Sequence, residues 1–200
     1  MPTKISFANL DQAFQALETQ LELLKSDPIR LVICGGSALI ARGFVTRLTD
    51  DVDIVALMNA KGVIGTPEPL PKSLTKSAAI VARDMGFSAD WLNNAASRDV
   101  EGVFQRGLPT GFEDRLEKQR YGRCLTAFFI GRLDQIYFKL YAAADRGGHH
   151  IKDLIALRPT TRELEFAAAW TRSHDSSEGI WRALQKLIRK LGHDDIADRI

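Results

Sequence analysis

ICGGSALIARGFVTRLTDDVDIVAL, residues 33–57, places a Gly-Gly-Ser turn at the end of one apolar run and a pair of carboxylates at the start of the next. Upstream, Ile29 to Cys34 has the continuous apolar character of a buried strand, and Asp27-Pro28 closes whatever precedes it. Gly35 and Gly36 break the run, and Ser37 to Arg42 is short, small and compatible with a helix. Val52 to Leu57 then reads as a second strand, with Asp51 and Asp53 at its beginning. The order strand, glycine turn, helix, strand sets the frame for the rest of the chain.

Strand side chains alternate between faces, so Asp51 and Asp53 point the same way with Cα atoms about 6.5 Å apart. Two such carboxylates suit a divalent cation: two-metal phosphoryl-transfer sites hold their ions about 3.5 to 4 Å apart. Magnesium takes one or two carboxylates and fills its remaining positions with water and substrate phosphates. Glycines allow close backbone approach to a phosphate, and the start of the following helix favours negative charge. Arg42, Arg47 and Thr49 add donors between the two motifs. Either motif alone is commonly an ordinary turn or strand end; both together, in this order and separated by a helix, are specific.

This segment resembles the signature of the polymerase-beta-like nucleotidyltransferase superfamily, in which a glycine-serine turn precedes a D-x-D pair on the next strand. The resemblance implies that Gly36 and Ser37, in the turn opened by Gly35, contact NTP phosphates; Arg47 and Thr49 are the nearby donors of that nucleotide-binding cradle. It also implies that Asp51 and Asp53 hold Mg²⁺ or Mn²⁺ while an acceptor hydroxyl or amine attacks the α-phosphate and pyrophosphate leaves.

A second constellation lies in LDQIYFKLYAAADRGGHHIKDLIAL, residues 133–157, where Lys139, Arg146 and Asp153 recur every seven residues. Seven residues are about two helical turns, so Lys139 and Arg146 share a helix face and Asp153 lies beyond a Gly147-Gly148 break. Alone, this reads equally well as a solvated basic face. The pattern is similar to the helical half of nucleotidyltransferases of the AbiEii-like branch, found in abortive-infection and toxin-antitoxin systems. That similarity implies that Lys139 binds phosphate and that Lys139 and Asp153 complete the catalytic set; Arg146, on the helix face of Lys139, is placed to reach the same anionic ligand. Many superfamily members carry a third metal-binding acid on a later strand, but RCLTAFFI, residues 123–130, has none. Asp153, Asp134 and Glu101 are the candidate substitutes, Asp153 being preferred.

Elsewhere, helical spacing runs from Leu10 to Leu24, with Asn9 and Gln12 as a candidate capping box, and over Leu74 to Met85, closed by Gly86. Residues 61–71 and most of 88–122 read as loop, and 123–130 as a strand. Helices are expected over 133–146, 149–158, 161–173 and 178–191, with a Thr160/Glu163 capping box. The expectation is an α/β (α+β) fold: a mixed-sheet core over residues 1–131 and a helical lobe over 132–200 that completes the site. His149 and His150, adjacent and without a partner at helical spacing, read as exposed loop residues. The tryptophans read as packing residues.

Composition limits the alternatives. Of 200 residues, 45% are hydrophobic and 26% charged, enough for a sizeable core, and a net charge of +2 neither demands nor forbids a nucleic-acid partner. Cys34 and Cys124 lack zinc-like spacing and read as buried free thiols. Without a long apolar stretch, a soluble cytoplasmic protein with no membrane partner is expected. The functional expectation is transfer of NMP from NTP to an RNA (such as a tRNA end), protein or small-molecule acceptor, with a cognate antitoxin as a possible partner. The alternative is a binding module of the same fold without turnover.

Overall fold

Five of the six residues of β1 (Ile29–Cys34) are buried, so the strand is apolar on both faces and belongs at the centre of a sheet. It pairs antiparallel with β2 (Val52–Met58), in the register Leu31 to Leu57 and Cys34 to Asp53, with a bulge between Val32 and Ile33. On its other side it pairs in parallel with the late strand β6 (Leu125–Phe129). Two-residue strands β3 (Ile64–Gly65) and β4 (Leu92–Asn93) pair with opposite ends of β2, and β5 (Glu117–Arg120) pairs antiparallel with β6. The result is a mixed six-stranded sheet, ordered β3-β2-β1-β6-β5, with β4 also on β2.

This architecture comes from a computed structural model, which describes residues 1–97 and 107–200. The chain forms two compact units, one of Met1–Leu108 with Phe112–Ile130, the other of Pro109–Gly111 with Gly131–Ile200. The first holds the sheet with helices α1 (Phe7–Leu23), α2 (Gly35–Ala41) and α3 (Lys72–Met85). The second is helical: α4 (Arg132–Arg146), α5 (His149–Ala156), α6 (Thr161–His174), α7 (Glu178–Lys190) and α8 (Asp194–Ala197). The α/β class with C-terminal helices is the one expected from the sequence.

In the first unit α1 buries Leu10, Phe14, Leu17 and Leu21 at helical spacing. Its capping box is Ser6 with Asn9, three residues before the expected Asn9 and Gln12: the Ser6 hydroxyl accepts from the Asn9 N–H, and the Asn9 carbonyl accepts from the Ser6 N–H. Phe14 stacks on Tyr121 at 4.9 Å between ring centroids and meets Phe129 edge-on at 6.2 Å. Helix α3 ends on the left-handed Gly86, and the fully buried Trp91 donates its indole N–H to the Ala78 carbonyl at 2.9 Å. Both cysteines are buried, and neither is in a disulfide.

Two expectations need correction, the loop over 61–71 and the start of α2. The 61–71 stretch contains β3, whereas the 88–122 stretch, expected as mostly loop with short elements, contains the short strands β4 and β5. Strand β5 is EKQR, mostly exposed and without apolar alternation, because it is an edge strand held by its backbone pairing with β6. Helix α2 begins at Gly35, two residues before the expected start.

In the second unit Arg132 works as a fastener. Its guanidinium donates to the Leu157 and Arg158 carbonyls and pairs with Glu163 at 2.6 Å, and Glu163 also closes the expected capping box with Thr160. Phe138 stacks on Trp170 at 5.6 Å. Arg182 and Arg189 pair with Glu178 and Asp198, consistent with a solvated basic face on α7.

One packing constraint in the first unit is severe. Glu18 of α1 is 4% exposed and accepts the Cys124 N–H at 2.9 Å, and a Cβ at Gly122 would lie 2.1 Å from its carboxylate oxygen and 2.7 Å from its Cγ. Gly122→Ala is therefore expected to lower stability by about 1–3 kcal/mol, the usual range for overpacking. Urea denaturation monitored by circular dichroism measures it, and an unchanged midpoint would show that Glu18 withdraws without loss.

Candidate active site

Strand β1 ends at Cys34, and Gly35 turns the chain into α2 with φ +74°, the left-handed region that glycine enters without strain. Cys34 is the register partner of Asp53, so the turn faces the head of β2. The contact is close: a Cβ at Gly35 would lie 2.4 Å from Asp53 Oδ2. The carboxylate thus occupies the space where any other residue would carry its side chain. Gly36 does the same for the segment before β2, since a Cβ there would meet Thr49 Oγ1 at 2.8 Å and Arg47 Nη2 at 3.0 Å. The two glycines, Arg47, Thr49 and Asp53 form one contiguous group.

Thr49 is buried and held by a two-way backbone bridge to Ile5, with hydrogen bonds of 2.8 and 2.9 Å. Its hydroxyl donates to Asp51 Oδ1 at 3.5 Å. Asp50, the intervening residue, turns outward to Lys4. Asp51 and Asp53 are each partly buried on either side of the fully buried Val52, in keeping with a shared strand face.

Asn93 joins this group and had no signature in the sequence. It is the register partner of Asp53 on β4, and its side-chain amide favours the ionised form of Asp51. Its own orientation is fixed by donation to the Asp90 carbonyl at 3.3 Å and acceptance from the Ala95 N–H at 2.8 Å.

Burial pushes the Asp51 carboxyl above the usual carboxylate range, and the charges of Asp50 and Asp90 add to that, against the hydrogen bonds from Thr49 and Asn93. A desolvated carboxylate crowded by others is a donor that a divalent cation relieves. Together with the Asp53 carboxylate in the Gly35 notch, this all-oxygen set fits Mg²⁺ or Mn²⁺.

Ser37 is placed differently from Gly35 and Gly36. It is fully buried, and its hydroxyl donates to the Cys34 carbonyl at 3.3 Å, locking the turn to β1. Arg42 is engaged with Glu117, and Arg47 also donates to the Leu48 carbonyl at 2.9 Å.

In the helical unit, the α4–α5 hairpin brings Lys139 and Asp153 together, Nζ to Oδ2 at 2.8 Å, with both side chains almost completely buried. Arg146, by contrast, is exposed beside Asp145. Asp134 is fully buried in the first turn of α4, and Glu101 lies outside the described residues. His149 and His150 are not loop residues: they form the first turn of α5, and the helical partner they lacked in the sequence is Asp153, four and three residues on. Burial, with Lys139, His149 and Arg146 nearby, lowers the His150 pKa to about 4, so its imidazole is neutral at pH 7.

A family model described as a nucleotidyltransferase of unknown function (DUF6036) matches residues 8–158. The chain belongs to that nucleotidyltransferase family. The match takes in the glycine turn, the aspartate pair, Lys139, Arg146 and Asp153. No curated protein and no solved structure matches the chain. Among the described residues no helix is long and apolar enough to cross a membrane.

Two consequences are measurable. For Asp51 the folded-state pKa lies above the unfolded one, so its ionisation costs nothing below the unfolded value and costs progressively more as pH rises through the folded value. Asp51→Asn is therefore expected to stabilise the metal-free nucleotidyltransferase at pH 7, by a margin that shrinks on acidification; thermal unfolding in EDTA across pH 4–7.5 tests it, and a less stable variant at pH 7 refutes it. For the buried pair, Lys139→Met removes the cation paired with buried Asp153, and a loss of about 3–5 kcal/mol is expected by chemical denaturation.

Proposed function

We propose that this family member catalyses metal-dependent transfer of NMP from NTP to an acceptor at the site built from Gly35, Gly36, Arg47, Thr49, Asp51 and Asp53. The observation that carries the reading is the seat of the Asp53 carboxylate in the space left by Gly35, which joins the phosphate-binding turn to the metal-binding pair. The glycines keep side chains away from the phosphates, and the first N–H groups of α2 are available to phosphate oxygens. Arg47 and Thr49 neutralise and orient the polyphosphate. Because the Ser37 hydroxyl is committed to Cys34, Ser37 contributes through its backbone N–H. Asp51 and Asp53 hold Mg²⁺ or Mn²⁺, which when bound supplies charge stabilisation at the transferring phosphoryl group. Thr49 holds Asp51 in place for that task.

Lys139 and Asp153 enter this reading through the resemblance to AbiEii-like enzymes, as phosphate ligand and as metal-associated acid or base. The same resemblance supports an RNA or protein acceptor and a cognate antitoxin. A second reading, nucleotide binding without turnover, is favoured by one observation: β6, the neighbour of β1, contributes no carboxylate.

The test is incubation of the purified chain with each α-labelled NTP, Mg²⁺ or Mn²⁺, total RNA and cellular protein. Label is expected in one acceptor class, with a loss on the order of 10²–10³-fold in Asp53→Ala, the scale typical of removing a preorganised electrostatic group. Labelling that survives Asp53→Ala sinks the proposal. Metal-dependent NTP binding by calorimetry without any labelled product identifies the binding module instead.

A further inference from the structure

The geometry points to a second metal site, in the helical unit and chemically unlike the aspartate pair: His149, His150 and Asp153 bind one borderline transition ion of the Zn²⁺ class. One ligand atom from each lies within 4.8 Å of the others. The two glycines before α5 have φ +65° and +62°, and this turn delivers both imidazoles to the first turn of the helix, their ring centroids 4.0 Å apart. Asp153 follows at the i+4 and i+3 positions, on the neighbouring face.

Each donor suits the role. His150 Nδ1 is buried without a hydrogen-bond partner, and a buried polar atom left so costs free energy that a metal bond would recover. His149 is exposed, so its ring can rotate to close the remaining distance to the roughly 2.0–2.1 Å of a metal–imidazole bond. Asp153 is oriented by Lys139, which donates to Oδ2 at 2.8 Å. An outer partner of that kind fixes a ligating carboxylate, and a carboxylate accepts more than one partner.

Two imidazoles and one carboxylate select Zn²⁺, Co²⁺, Ni²⁺ or Cu²⁺ over Mg²⁺, which prefers an all-oxygen shell. Three protein ligands leave a tetrahedral ion one position for water or an exogenous ligand. Occupancy ties α5 to the Lys139–Asp153 pair and so to α4. Asp153 is shared with the nucleotidyl-transfer reading, whereas His149 and His150 belong to this inference alone, so the histidine variants separate the two.

The experiment is titration of the untagged, EDTA-treated full chain with ZnCl₂ by calorimetry and with CoCl₂ by visible absorption. One ion per chain is expected to bind saturably, with Co²⁺ giving the intense bands of a four-coordinate site. His149→Ala and His150→Ala should each weaken binding at least tenfold, whereas Asp51→Asn and Asp53→Asn should leave it unchanged. Asp153→Asn adds a third arm where it folds; the histidine variants decide the matter where it does not. No saturable binding, or binding indifferent to both histidine substitutions, overturns the site, and loss of binding in the Asp51 or Asp53 variants reassigns the ion to the sheet unit.

Discussion

The sheet unit turns on one contact, the Asp53 carboxylate lying where the side chain of Gly35 would be. It requires a left-handed residue at the end of β1, a β1–β2 register that sets Cys34 across from Asp53, and a helix that starts at once. A one-residue slip of β2 would turn Asp51 and Asp53 to the opposite face and put Val52 in their place. The neighbours of the contact reinforce that register from several directions: Thr49 through its bridge to Ile5, Asn93 through β4, and Gly36 by admitting Arg47 and Thr49. The site is preorganised by backbone pairing more than by long flexible side chains.

That preorganisation has an electrostatic cost. Asp51 is held ionisable in a partly desolvated position beside Asp50 and Asp90, which disfavours its charge in the folded chain. Functional groups are commonly kept in states the fold alone would not choose. The Lys139–Asp153 pair shows the other solution, two buried charges satisfying one another. One unit leaves its acid desolvated beside other acids, and the other pairs its acid with a lysine.

Most of the architecture was legible because its elements carry strong patterns. The apolar run of β1, the Leu10–Leu21 spacing of α1 and the Gly86 cap of α3 each follow from local chemistry. What escaped were elements whose existence depends on a partner. Strand β5 is four polar residues defined by β6, and β4 is two residues defined by β2. Asn93 escaped with β4, since nothing in its surroundings marks an asparagine that will lie across a strand pair from Asp53. Gly35, Gly36, Asp51 and Asp53 stood out in the sequence because their types and order suit phosphate and metal chemistry, and the structure sets Gly35 against Asp53. The fate of the Ser37 hydroxyl was not legible, because Ser37 can serve a ligand or its own strand with equal ease. His149 and His150 were read as lacking a partner at helical spacing, and the structure supplies Asp153 as one.

The parallel pairing of β1 with β6 also governs how the chain is made. Residues 29–34 find their second neighbour only when residues 125–129 have been synthesised, and α1 closes its buried Glu18 only against the same late segment. During translation a strand that is buried at five of its six positions therefore waits with one edge unpaired for the time needed to add about ninety residues, at about 5–20 residues per second. Such an edge is the usual entry point for intermolecular strand addition. The central strand, best protected in the finished fold, is the segment most in need of a chaperone while the fold is incomplete.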